Sequence, residues 1–164
     1  MMAVQSTPTA AEPSPPPFVD RFACPLTNVL ESIYGLRPTI SGQNKFLVAA
    51  LDDAQRYVQC RVIDEGHSLL CEASSGFYGK DPFAHTLQQV DAIRARGFEQ
   101  RREGGNYSQQ IALASRADFS RIARLLLATL RDGFGARDAD NLFIKAPGLN
   151  GDLRAILKRP CASQ

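Results

Sequence analysis

The residues of this chain best equipped for bond-making chemistry are four cysteines and two histidines. Cys24, Cys60, Cys71 and Cys161 are scattered along the sequence. None forms a C-x-x-C pair and neither His67 nor His85 lies beside one, so zinc-ligand spacing is absent. Cys60 and Cys71 fall in strand-like runs that would set them opposite one another across a hairpin. For a cytosolic chain the expectation is buried thiols rather than a disulfide. A catalytic triad needs a nucleophile, a base and an orienting acid that converge. No G-x-S-x-G elbow or other local signature is present. His67 falls in a turn and His85 near a helix start, and both read as solvated surface histidines.

Three further clusters carry residue types that could do chemistry. Ser74-Ser75-Gly76-Phe77-Tyr78-Gly79-Lys80 has glycines ahead of a lysine, but Asp81 stands where a phosphate loop needs Ser or Thr. It reads as an ordinary loop. The acidic pairs Asp52-Asp53 and Asp64-Glu65 sit between strand-like runs and read as turn formers. Arg94, Arg96, Arg101 and Arg102 form the most basic stretch. Glu99 and Glu103 interleave with them and Phe98 is the only ring nearby, which describes a solvated charged face better than a nucleic-acid platform. No catalytic residue, cofactor site or metal site is therefore expected, and the chain reads as a non-enzyme.

The composition agrees. With 164 residues and 44% hydrophobic content the chain is long enough for one domain with a real core. A formal net charge of +2 is too small to argue for nucleic acid or an anionic membrane surface. No apolar run approaches the length of a transmembrane helix. Residues 1–17 lack the basic start and apolar stretch of a signal peptide, which makes the cytoplasm the expected location.

The elements that would position any site follow from periodicity. Residues 1–18 are rich in Pro, Ala, Ser and Thr and read as a disordered tail. Leu26, Val29, Leu30, Ile33 and Tyr34 mark one face of a helix, with Pro25 in its first turn and Gly35 at its end. Lys45–Leu51, Tyr57–Ile63 and Ser68–Ala73 are three strands joined by short turns, an antiparallel meander. Phe83, Leu87, Val90 and Ile93 mark a second helix, stopped by Gly97. Phe98–Arg102 and the alternating run Tyr107, Gln109, Ile111, Leu113 are two more strands around the turn Glu103-Gly104-Gly105-Asn106. Phe119, Ile122, Ala123, Leu126, Leu127, Leu130 and Phe134 form the stripe of a third helix, capped by Ser115 or Asp118 and ended by Gly135. Arg116, Arg121, Arg124 and Arg131 occupy its outer surface. Leu142–Lys145 is a short extended piece, and Leu153, Ile156 and Leu157 suggest a last short helix.

The order is α-β-β-β-α-β-β-α. It predicts an α+β fold with a five-stranded antiparallel sheet and helices packed on it. The domain is placed at residues 19–135, with residues 136–164 a C-terminal extension. If Val58, Cys60 and Val62 face the helices, then Tyr57, Gln59, Arg61 and Ile63 face away, and Tyr107 and Gln109 are mixed in the same manner. A sheet face of interspersed polar and apolar side chains is what a partner-binding surface needs. These six residues are the candidate partner-binding site.

The order resembles the type III secretion chaperone fold shared by the bacterial YbjN-like proteins and the related TY-Chap domains. Leu87-Gln88-Gln89-Val90-Asp91-Ala92-Ile93-Arg94-Ala95-Arg96-Gly97-Phe98 is similar to the family's helix and its step into the fourth strand. Asn106-Tyr107-Ser108-Gln109 resembles the start of its fifth strand, and residues 122–135 resemble its long final helix. The resemblance covers roughly residues 22–135. It implies a bacterial module that binds a protein segment or client through the sheet face or an exposed edge, and a homodimer as its arrangement. The competing reading is a small regulatory or nucleic-acid-associated protein that uses the arginine-rich surface.

Overall fold

The computed structural model describes residues 17–37, 39, 44–51 and 55–161. The Pro-rich segment up to Pro16 and the Asp52-Asp53 pair lie outside the described residues.

The chain opens with α1, Phe18–Gly35. Phe18, assigned by its composition to the tail, is fully buried as the first helical residue. Its backbone N–H has no side-chain cap from Pro17. It donates instead to Asp138 Oδ1 at 2.9 Å, 120 positions away. Pro25 therefore sits inside α1, not in its first turn. Lacking an N–H, it cannot close the helical bond to the carbonyl four residues back.

Three strands follow: β1, Phe46–Leu51; β2, Arg56–Ile63; and β3, Ser68–Ala73. A one-turn 3-10 helix, Asp64–Gly66, joins the last two. Next come α2, Leu87–Ala95; β4, Glu99–Gln100; β5, Tyr107–Ala112; and α3, Ala117–Phe134. The chain then adds β6, Phe143–Lys145, a 3-10 turn at Pro147–Leu149, and α4, Leu153–Leu157. Thr86 and Gln89 close a capping box on α2, so this helix begins after Phe83. At α3 the Asp118 carboxylate reaches back to accept from Ala114 N and Ser115 N, both at 2.8 Å. Neither Ser115 nor Asp118 is the N-cap, which is Arg116.

The sheet is antiparallel and six-stranded, in the order β4-β5-β3-β2-β1-β6. The sixth strand corrects the expected five. Phe143–Lys145 pairs with Val48–Ala50 and becomes the edge strand. Three residues carry too little alternation to announce this in a sequence.

One face of the sheet is covered by helices. The register aligns Leu47, Cys60, Cys71 and Gln109 in one row and Ala49, Val58, Ala73 and Tyr107 in the next. Against these rows lie α1 and α3, which pack side by side, with α2 on α3 and α4 on α1. The buried stripe of α3 and the face Leu26, Val29, Leu30 and Ile33 of α1 complete the core. Burial of each such side chain contributes about 1.5–3 kcal/mol. All four cysteines are paired, Cys60 with Cys71 and Cys24 with Cys161. The expectation of free thiols is thereby corrected. The first pair are direct cross-strand neighbours, with Cα atoms 4.1 Å apart. The second joins α1 to the segment after α4.

Candidate binding face

The opposite face of the sheet carries half-buried and exposed side chains. Its rows follow from the register. Phe46, Arg61, Leu70 and Gln110 lie side by side, as do Lys145, Val48, Gln59, Glu72, Ser108 and Glu99. Phe143, Ala50 and Tyr57 form the start of a third row. Apolar side chains gather at the β6–β1–β2 side, where Phe143 is 52% exposed. Polar groups gather at the β3–β5–β4 side.

That polar half is internally bonded. Gln59 Nε2 donates to Glu72 Oε2 at 2.6 Å across the strands. Gln110 Nε2 donates to Asp64 Oδ2 at 2.5 Å. The Tyr57 hydroxyl accepts from Asn106 Nδ2 at 3.1 Å, which fixes its ring at one end of the face. Arg61 is exposed, between Phe46 and Leu70.

Tyr57, Gln59, Arg61 and Ile63 therefore share the uncovered face, two residues apart along β2. Tyr107 and Gln109 do not join them. Tyr107 stands opposite Ala73 on the helix side and is 6% exposed. Gln109 donates to the Arg96 carbonyl at 3.0 Å and so secures the turn from α2 into β4. Alternation along β5 separates two sets of residues. Only the pairing with β3 says which set faces the helices, and the outward set is Ser108, Gln110 and Ala112. Phe46, Val48, Leu70 and Phe143 are the face residues that the sequence concealed. Phe46 and Val48 sit in an unbroken apolar run, FLVAAL, in which burial alternates but residue type does not.

At one end of the sheet the Ser74–Thr86 loop presents two more aromatics. Phe77, 64% exposed, meets Tyr78 edge-on at 5.4 Å. The loop is tied to the β4–β5 turn by Ser75 N to Asn106 Oδ1 and by Ser75 Oγ to the Gly104 carbonyl, both 3.1 Å. Gly76, at φ +76°, has the Phe83 carbonyl 2.4 Å from where a Cβ would sit. The loop glycines thus serve close approach, in keeping with an ordinary loop.

The remaining chemical candidates disperse. His67 is exposed, with Nδ1 2.7 Å from the Asp64 carbonyl. His85 departs from the solvated histidine expected. It is half-buried, its ring packs edge-on to Phe83 and Phe134 at 5.0 Å each, and Nε2 donates to the Ser74 carbonyl at 2.9 Å. Nδ1 is buried with no hydrogen-bond partner among the described residues. Arg96 is ion-paired with Asp132 and Arg102 reaches the Tyr78 hydroxyl, so the basic stretch does not form one patch. Asp64 and Glu65 are turn residues with positive φ. Among the described residues no group of His, Cys, Asp or Glu is arranged to hold a metal ion. No described helix is long and apolar enough to cross a membrane.

An α-β-β-β-α-β-β-α core with one bare sheet face is the arrangement that the sequence resemblance implied. Residues 20–148 match the family described as T3SS (YopN, CesT) and YbjN peptide-binding chaperone 3, TY-Chap3. The chain belongs to the TY-Chap3 family. The match runs past residue 135, so the TY-Chap3 unit takes in β6 and ends within the Pro147–Leu149 turn. No curated protein and no solved structure is significantly similar to the chain. Membership makes the coarse role that of a peptide-binding chaperone domain.

Proposed function

We propose that the chain is a non-enzymatic binding module that holds an extended or flexible segment of a client protein on the bare sheet face. The observation that carries this reading is the grouping of Phe46, Val48 and Phe143 on the β6–β1 side of that face, with Leu70 across Arg61 on β3. A client contributes apolar side chains to this half. Arg61 and the Gln59–Glu72 pair select among segments by charge and hydrogen bonding. The β6 edge lies beside the apolar half, so a client strand has main-chain groups to pair with as well. Tyr57, Gln59, Arg61 and Ile63 line this face, and Tyr107 and Gln109 lie on the other side of the sheet.

The setting proposed is a bacterial cytoplasm, with the chain a homodimer. The cysteine pairs set a condition on that setting, because cytosolic thiols are mostly kept reduced. The arginine-surface alternative is weaker. Arg116, Arg121, Arg124 and Arg131 are each ion-paired with a carboxylate, Glu31, Asp118, Asp20 and Asp132 respectively.

The test is selection of binders from a random peptide library displayed on phage, followed by affinity measurement with Val48→Lys, Arg61→Glu and the control Arg94→Gln. Selected peptides rich in apolar residues, weakened at least tenfold by the first two changes and not by the third, support the reading. Equal binding by all three variants sinks it. Sedimentation of the same variants shows whether a second copy uses the face.

A further inference from the structure

The two disulfides differ in their surroundings. Cys60 and Cys71 are buried beneath the helices. Cys161 is exposed, and Cys24 is half-buried on the surface of α1. The pair Cys24–Cys161 spans 137 positions and clasps the chain after α4 to α1. Both cysteines line a cavity of about 1050 Å³ between α1, α3 and this C-terminal segment. Its lining includes the small residues Ala23, Thr27, Ala117 and Ser120. The lining also carries Arg116, Arg121, Arg124 and Arg159, with Glu31 as its one described carboxylate. Asp118 and Asp20 back two of these arginines from outside the lining. Arg159 has no carboxylate partner among the described residues.

We infer that Cys24–Cys161 is a reversible thiol-exchange site, and that the cavity beside it receives a small thiol bearing carboxylates. The thiolate of the incoming molecule attacks Sγ of Cys161, the more exposed residue of the pair. The Cys24–Cys161 bond breaks as the new S–S bond forms, and Cys24 leaves as a thiolate that takes a proton from water. A second thiol of the same kind attacks the mixed disulfide. It releases Cys161 as a thiol and departs joined to the first. Two small thiols are oxidised to one disulfide, and the protein disulfide is reduced to two thiols. Exchange rates depend on access and on which sulfur is attacked. Both conditions are met here and fail at Cys60–Cys71. Arg116, Arg121 and Arg124 are ion-paired, so the charge that favours an anionic nucleophile over a cationic one comes from Arg159. Opening frees the segment after α4 from its covalent hold on α1, so the cavity loses one fixed wall.

The experiment uses the purified full chain. Glutathione and cysteamine, compared at equal thiolate concentration, are added under conditions that leave the protein folded. Free thiols are then trapped by alkylation over time and located by peptide mass spectrometry. The expected result is opening of Cys24–Cys161 at least tenfold faster than Cys60–Cys71, and several-fold faster with glutathione than with cysteamine. The glutathione advantage shrinks in Arg159→Gln and at high salt. Equal rates at the two disulfides would overturn the inference. So would the absence of a preference for the carboxylate-bearing thiol, or alkylation of Cys24 and Cys161 before any reductant is added.

Discussion

The side-chain amide of Asn28, in the middle of α1, donates to the Arg159 main-chain carbonyl at 2.7 Å, across 131 positions of sequence. The same nitrogen lies 3.3 Å from the Ile156 carbonyl. Asn28 is buried and α4 has only five residues, too short to persist alone. The amide therefore pairs the Arg159 carbonyl just beyond α4 and adds a second donor to the Ile156 carbonyl, which also accepts from Arg159 N at 3.1 Å. Asn28→Ala is expected to lower stability by about 1–3 kcal/mol. It should raise amide exchange over residues 153–161 well beyond the change elsewhere. Uniform exchange along the chain would show that α4 is held by Ile156 and the disulfide alone.

Gly133 sits inside α3, where alanine would ordinarily gain about 1 kcal/mol of helix propensity. Here a Cβ would lie 2.5 Å from Ile93 Cγ1 and 3.1 Å from its Cδ1. Ile93 is fully buried in α2. Gly133→Ala should therefore destabilise the fold by about 1–3 kcal/mol. Ile93→Ala opens the space, so the double variant should be more stable than the two single losses added together. Urea denaturation of the four chains checks the sign of this coupling.

How much of this was legible follows from the size of each signal. The stripe Phe119 to Phe134 repeats across about four turns, and α3 stands where periodicity put it. The meander was legible because each strand alternates or is bounded by turn residues. Partners that arrive from far along the chain were not. Asp138 replaces a local cap at Phe18, so α1 begins earlier than Pro25 suggested. β6 gains its identity only by pairing with Val48–Ala50. The candidate face was half legible for a related reason. Alternation assigned β2 correctly, whereas β5 needed the pairing of Tyr107 with Ala73. The cysteine pairing of Cys24 with Cys161 had no local signal at all, since 137 positions separate them.

Asp118 gives the chain a defined acid response. Its carboxyl is lowered from 3.8 to about 2, first by the Ser115 and Ala114 backbone N–H groups and then by Arg121. A depressed folded-state value contributes stability above the unfolded value, and this is lost as pH falls through the folded one. The loss attributable to Asp118 thus falls between pH 3.8 and about 2. Asp132, lowered by Arg131 and then Arg96, acts in the same direction. Asp118→Asn should lower the melting temperature at pH 6 and flatten its decline in that acid window. A variant whose melting temperature falls in parallel with the parent over pH 2–5 would remove Asp118 from the account.

Two tyrosines separate the bare sheet face from the core. Tyr57 stands on the bare face with its hydroxyl held by Asn106, and Tyr107 stands beneath the helices, edge-on to His85 at 6.1 Å. Tyr107→Ala removes a buried ring and should cost about 3–5 kcal/mol, the range for large aromatic truncations. Tyr57→Ala removes a half-buried ring with one surface hydrogen bond and should cost about 1 kcal/mol. Binding should rank the other way. Tyr57→Ala is expected to weaken a selected peptide roughly tenfold, about 1.4 kcal/mol, as a contact residue does. Tyr107→Leu, which keeps the core filled, should bind within a factor of two of the parent, roughly 0.4 kcal/mol. Calorimetric titration and thermal melts on the same samples distinguish the two roles. If Tyr107→Leu lost binding while remaining folded, the client would have to reach the helix side, and the bare face would no longer be the site.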